Sequence, residues 1–264
     1  MVGEKSLKRI YTFLIYMFLY APIIVLIIFS FNNSKSRSEW DGFTLKWYAD
    51  LFKDKQILTA LYYTLGIAVL SSIIATAIGT ISAIGIHKMK GFNKKLILNV
   101  NYLPILNPDI VTGVALMSLF VFVSMPLGFT TMLLAHITFN IPYVILSVLP
   151  KLRQMPKNIT EAAMDLGATP GYTLRKVILP MIKPGIISGL LISFTLSIDD
   201  FVISFFTTGT GVSNLSITIY SMARRGINPK INALSTLMFA VVLILLIIIN
   251  IKDKKERGIK NETI

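Results

Sequence analysis

The chain has 264 residues, 54% of them hydrophobic, and a formal net charge of +13. Ordinary globular chains are about 45–50% apolar; the surplus here falls in blocks long enough to cross a bilayer, for which roughly 20 helical residues suffice. Cysteine is absent, which excludes a disulfide framework and any Cys-based metal site.

In a soluble protein such a charge would point to nucleic acid, but a membrane explains it better here. Six spans are predicted, at 10–31, 59–86, 96–123, 127–150, 184–207 and 233–251, and none contains Lys or Arg. Eighteen of the 26 basic residues fall on one side, in the N-terminus, the 87–95 and 151–183 loops and the tail after 251. Eight fall on the other, in 32–58 and 208–232. The positive-inside rule puts both termini and the 151–183 loop in the cytoplasm. The basic clusters can also touch anionic lipid headgroups. Nucleic acid is not an expected partner.

The first span, Ile10 to Phe31, follows Lys5, Lys8 and Arg9, as a signal peptide would. It is too long for a signal h-region and no A-x-A-like cleavage site follows, so it reads as a retained span. It leaves the membrane through the polar Asn32-Asn33-Ser34. Trp40, Trp47 and Tyr48 in the following loop read as membrane-interface anchors, with docking of an external partner as the alternative. The second span carries Ser71, Ala75, Gly79 and Ala83 at a spacing of four, a seam of small residues along which helix backbones approach closely. The partner of the seam, within the chain or in another subunit, is open at this point.

The third span should be interrupted. Pro104 and Pro108 remove two backbone donors and disfavour helix at Leu103 and Asn107. Asp109 follows at once, and a broken helix beside an ionisable residue at membrane depth is the usual sign of a cavity-lining segment; a proline kink with a locally paired Asp is the alternative. The fourth span contains His136, Asn140 and Pro142; His136 reads as a packed or hydrogen-bonded histidine, since no second His or Cys sits at metal-ligand spacing.

Between spans four and five lies a polar, helix-forming stretch. Asn158 and Glu161 have capping-box spacing. Ile159, Ala162, Ala163 and Leu166 fall on one helical face, with Glu161 and Asp165 facing outward. Gly167 suits a left-handed residue after the helix. Thr169-Pro170 restarts a second short helix, expected to run to about Ile178 and to stop at Pro180. A helix lying on lipid would carry Lys or Arg above bulky apolar residues; alanines and acids suit a protein groove instead.

Span five holds Asp199-Asp200 in an otherwise apolar run. Each acid costs about 2.5–3.5 kcal/mol at a bilayer centre on insertion scales. Adjacent helical residues point about 100° apart, so the two cannot serve one surface equally. With three intramembrane acids, Asp109, Asp199 and Asp200, and no intramembrane base, a cationic solute is the favoured partner. Asp199 lies about 22 Å along span five and Asp109 about 20 Å along span three if both are straight helices. The acids could then form one shared site if those spans are neighbours.

Glu161-Ala162-Ala163, Gly167 and Leu179-Pro180 resemble the cytoplasmic signature of bacterial ABC-importer permeases: EAA, three residues, Gly, nine residues, Ile, one residue, Leu-Pro. Val177 stands at the Ile position. The resemblance implies an all-α integral membrane protein of six transmembrane helices, a type I ABC-importer permease fold with a cytoplasmic coupling-helix pair. It implies that Glu161, Ala162, Ala163, Asp165 and Gly167 couple to a separate ATPase. Nearly the whole chain is also similar to the spermidine/putrescine branch of that family, on the segments NPDIVTGVALM, HITFNIPYVI and SFTLSIDDFVISFFTTG. That implies a second permease subunit in a heterodimer, an ATPase dimer and an external polyamine-binding protein, with Asp109, Asp199 and Asp200 as solute-binding residues. No GxxxxGK[ST] loop occurs, so no cofactor is expected in this chain; ATP-Mg would be bound by the ATPase. Two alternatives remain: another small solute carried by the same architecture, and a proton-coupled secondary transporter using the three acids. An enzyme is not expected, since no nucleophile–base pair or metal set is present.

Overall fold

The structure, a computed structural model, describes residues 2–35, 39–156, 158–225, 229–241 and 243–244. Among these residues the fold is helical, and its one β feature is an isolated bridge between Asn32 and Phe43. In chain order the helices are α1 (Val2–Ser30), α2 (Lys46–Lys53), α3 (Lys55–Lys88), α4 (Gly91–Leu106), α5 (Asp109–Phe122), α6 (Phe129–Gln154), α7 (Ile159–Asp165), α8 (Pro170–Thr173), α9 (Leu179–Asp199), α10 (Val202–Thr207) and α11 (Leu215–Arg224). Four of the described helical stretches are long and apolar enough to cross a membrane, or five if the bent α4–α5 pair is one span. The expected sixth, 233–251, is helical over 233–241. Its last seven residues lie outside the described ones. The chain divides into two compact units, residues 59–218 and residues 1–58 with 219–264.

In the unit 59–218, α6 is the central helix. Val144, fully buried, sits between glycines of two neighbours. A Cβ on Gly79 of α3 would lie 2.7 Å from the Val144 side chain, and one on Gly189 of α9 would lie 3.2 Å from the Val144 Cα. A Cβ on Gly185 would come within 2.8 Å of the Ser147 carbonyl oxygen. At Gly185 a Cβ would have to displace backbone, and at Gly79 and Gly189 it would have to push Val144; these close approaches bring helix backbones together without a hydrophobic driving force from water. The small-residue seam of α3 therefore packs inside the chain. Gly79 meets α6, Ser71 Oγ lies 3.0 Å from Ser197 Oγ of α9, and Ala83 joins Ile86, Val148, Leu149, Leu152 and Ile182 in one buried cluster.

The predicted break in the third span is present, at one proline rather than two. Helix α4 runs through Pro104, and the chain bends by 106° between Leu106 and Asp109. Asn107, which precedes Pro108, is extended at φ −76°, ψ 142°, where a residue before proline is steered. The bend invalidates a depth for Asp109 counted along a straight helix. The fifth span is broken as well, against expectation: Asp200 and Phe201 leave the helix between α9 and α10.

The polar loop forms its helix, glycine turn and restart. Gly167 has φ +86°, its N–H bonds the Met164 carbonyl at 2.8 Å and the Ala168 N–H bonds the Ala163 carbonyl at 3.1 Å, the two bonds of a Schellman closure. Thr169 caps α8 through its side chain, with Pro170 next. Three expectations fail here. Asn158 makes no side-chain cap bond, so no capping box forms. Leu166 is 89% exposed at the end of α7 instead of lying on its inner face. The second helix does not stop at Pro180: a π-helical turn, Leu174–Ile178, carries it into α9. A proline ring crowds the carbonyl four residues back, and the widened turn ahead of Pro180 loosens the register there.

In the unit 1–58 with 219–264, the exit of α1 is tied by Asn32. Its side chain donates to the Glu39 carbonyl at 2.7 Å and accepts from the Asp41 N–H at 2.9 Å. Its own carbonyl accepts from Trp47 Nε1 at 2.7 Å. Trp47 is 6% exposed and so is a packed anchor of this cap, not the interface anchor expected, whereas Trp40 is exposed. Lys230 pairs with Asp54 at 3.0 Å. Burial works against the Asp54 charge, but Lys230 and the N–H groups of Ile57 and Gln56 hold its carboxyl below the usual range.

Candidate functional site at the broken fifth span

In an unbroken helix the N–H groups of Ile203 and Ser204 would bond the carbonyls of Asp199 and Asp200. Here they bond the Asp200 carboxylate instead, at 3.2 Å to Oδ1 and 2.7 Å to Oδ2. The two carbonyls so released are taken up by side chains from the start of α11. Ser216 Oγ donates to the Asp199 carbonyl at 3.3 Å, and Asn214 Nδ2 donates to the Asp200 carbonyl at 3.0 Å. The break thus exchanges two backbone bonds for four side-chain bonds. That satisfies groups which could not be left bare at membrane depth.

The surroundings are buried and polar. Asn214 Nδ2 also donates to Ser204 Oγ at 2.8 Å, and Asn214 Oδ1 caps α11 by accepting from the Ile217 N–H at 2.9 Å. Thr64 Oγ1 on α3 accepts from the Leu215 N–H at 2.8 Å. His136 Nε2 lies 2.9 Å from Ser204 Oγ and 3.5 Å from Asp200 Oδ2, so His136 is a hydrogen-bonded residue of α6. One turn along α6, Asn140 donates to Ser197 Oγ at 2.8 Å.

The three acids take different places. Asp200 is half-buried and its carboxylate is engaged by backbone. Asp199, the last residue of α9, is exposed and forms no ion pair among the described residues. Asp109 is the exposed first residue of α5. Helix α5 packs on α10. A Cβ on Gly113 would lie 3.0 Å from the Phe206 ring and 3.5 Å from the Val202 carbonyl oxygen, and Gly209 abuts Leu127 beyond the end of α5. The two helices therefore run side by side in the same direction. Asp109 is one turn, about 6 Å, before Gly113. The structure thus brings Asp109 and Asp199 to the same end of the α5–α10 pair. Among the described residues, no group of His, Cys, Asp or Glu is arranged to hold a metal.

The loop residues stand apart from this site. Glu161, Ala162, Asp165 and Gly167 are exposed and Ala163 is half-buried, with Met164 and Leu166 open beside them. Asn214, Ser216, Ser204 and Thr64 were not found by sequence reasoning. The one local signal was Asn214 ahead of the apolar start of α11, an N-cap pattern.

Apolar helices long enough to cross a membrane, acids at two helix breaks and a separate, exposed helix–turn–helix fit a solute permease. The chain belongs to the family of binding-protein-dependent transport system inner membrane components, whose model matches residues 75–252. It is a multi-pass membrane permease subunit. It is 40% identical over 233 residues to the spermidine/putrescine transport system permease protein PotC of Escherichia coli K12, covering 88% of each chain. It is also 40% identical to the putrescine transport system permease protein PotI of the same organism, covering 86% of this chain and 83% of the relative. Its fold is that of a chain in a bacterial ABC transporter that imports alginate, with TM-score 0.69 at 18% identity, covering 94% of this chain and 96% of that one. It also resembles a chain of the MetNI methionine ABC transporter, with TM-score 0.59 at 20% identity, covering 79% and 95%.

Proposed function

We propose that this permease subunit forms half of the pathway of an ATP-driven importer of polyamines, spermidine or putrescine. The observation that carries the solute class is the pair of exposed acids, Asp109 and Asp199, at one end of the α5–α10 pair, in spans that hold no Lys or Arg. A polyamine is a flexible chain of ammonium groups, which separated carboxylates can pair in turn. The similarity to spermidine/putrescine and putrescine permeases supports the same class. Asp200, with both carboxylate oxygens engaged, supports the break and leaves solute contact to the other two acids.

Energy enters from a separate ATPase dimer, which binds ATP-Mg and docks on the α7–α8 loop. Glu161 and Asp165 offer it charge, Ala162 and Ala163 a close approach, and Gly167 the turn. A second permease subunit completes the pathway, and an external binding protein delivers the solute. Both termini and the α7–α8 loop face the cytoplasm.

The test is uptake of labelled spermidine and putrescine by cells whose own polyamine uptake has been deleted and which express this chain with its partners. The expected result is uptake that stops on ATP depletion and survives an uncoupler. Uptake that survives ATP depletion and collapses with the uncoupler would establish a proton-coupled carrier instead. Uptake of neither amine would remove the solute assignment.

A further inference from the structure

The break between α9 and α10 is not held by its own segment. Of its four substituted hydrogen bonds, two come from Asp200 and two from residues 14 to 17 positions further along the chain. Asn214 is 2% exposed and uses its whole amide: Nδ2 serves the Asp200 carbonyl and Ser204 Oγ, and Oδ1 caps α11. Ser216, two residues on, holds the Asp199 carbonyl. Helix α11 is itself pinned at its first N–H by Thr64 of α3, which is buried and bonded in turn to the Ala60 carbonyl. The backbone of the exposed acid is thus fixed from α3 through α11.

We propose that Asn214 and Ser216 are positioning residues for the solute site: the first turn of α11 is a brace that sets where Asp199 stands by holding the carbonyls released at the break. Asn214 reaches the solute only through Asp199, and it carries two separable duties. Ser, a good N-cap, can replace Asn as the cap of α11. It is too short, and has too few donors, to bridge the Asp200 carbonyl and Ser204 as well. Asn214→Ser therefore removes the Asn214 half of the brace, the hold on the Asp200 carbonyl, and keeps the helix. This inference rests on the proposed solute site for its functional meaning, but the geometry can be tested without any solute.

The natural chain has no cysteine, so a single Asp199→Cys substitution is a clean reporter. In the assembled transporter in proteoliposomes, the thiol would be titrated with a cationic methanethiosulfonate reagent, in the presence and absence of Asn214→Ser. Ala135→Cys, at a fully buried position of α6, serves as the control for general loosening. The expected result is that Asn214→Ser changes the reaction rate at position 199 at least about threefold while Ala135→Cys stays unreactive. An unchanged rate at 199, or reactivity rising at both positions, would overturn the brace. A parallel measurement of labelled spermidine uptake, with Asn214→Ser in the Asp199 background, should fall about tenfold. If the thiol rate moves and the wild type carries no spermidine, the brace stands and the polyamine reading fails.

Discussion

Replacing Asp200 and Asp199 in turn by Asn should separate an acid that holds structure from one that meets solute. Asp200→Asn keeps one acceptor oxygen. Its amide nitrogen then faces either the Ile203 N–H or the Ser204 N–H, now bonded at 3.2 and 2.7 Å. Losing one charge-assisted bond and leaving a donor unmet costs about 1.5–3 kcal/mol. Asp199→Asn leaves no such orphan, because the Asp199 residue is exposed, forms no ion pair among the described residues and accepts only from its own backbone N–H, and surface changes of that kind fall within about 0.5 kcal/mol. At about 2–4 °C per kcal/mol for a chain of this size, Asp200→Asn should melt about 3–12 °C lower and Asp199→Asn within about 2 °C of wild type. The assay is the fraction of detergent-solubilised protein that stays monodisperse after heating. Equal melting of wild type and Asp200→Asn, or a larger loss in Asp199→Asn, would refute the assignment of the Asp200 carboxylate to the break.

Gly167→Pro should abolish ATP-driven uptake in protein that still inserts, since φ +86° is closed to proline; Glu161→Lys should do the same by reversing charge on the exposed face of α7. Retention of the ATPase on co-purification, with normal uptake, would remove the docking assignment. A reporter fused after Ile264 should be active in the cytoplasm and a tag at Ser36 should label from outside; either result reversed would overturn the charge-based orientation. Gly185→Leu should cost about 1–3 kcal/mol or more, because the first added carbon already meets the Ser147 carbonyl at 2.8 Å and cannot be accommodated by a side-chain rotation. Wild-type melting of that variant would mean that α6 and α9 have room between them.

What could be read from the sequence was what local stereochemistry enforces. Pro108 fixes Asn107 in an extended conformation, so the break before Asp109 was visible. Gly167, Thr169 and Pro170 each have one conformational use, and all three adopt it. The fifth-span break was not visible, because Ile198-Asp199-Asp200-Phe201 contains neither Pro nor Gly and fits a helix well. Its cause is an exchange of hydrogen bonds with Asn214 and Ser216, and no local pattern encodes a partner 14 residues away. Pro180 misled in the opposite direction: a proline reads as a stop, but the π turn before it lets the helix continue. Trp47 misled because loop aromatics serve lipid interfaces and folded caps alike, and only the bond to the Asn32 carbonyl distinguishes the two. The acids were identified from their cost in the membrane, but only the distances show that the Asp200 carboxylate is engaged by backbone N–H groups while Asp109 and Asp199 are exposed.

The most direct test of the central claim is spermidine uptake by Asp109→Asn and Asp199→Asn, each normalised to inserted protein of wild-type melting temperature. If these two carboxylates pair the solute, each substitution should lower uptake at least about tenfold, about 1.4 kcal/mol for one modest charge contact. Wild-type rates in both variants would contradict the account and take the carboxylates out of the pathway.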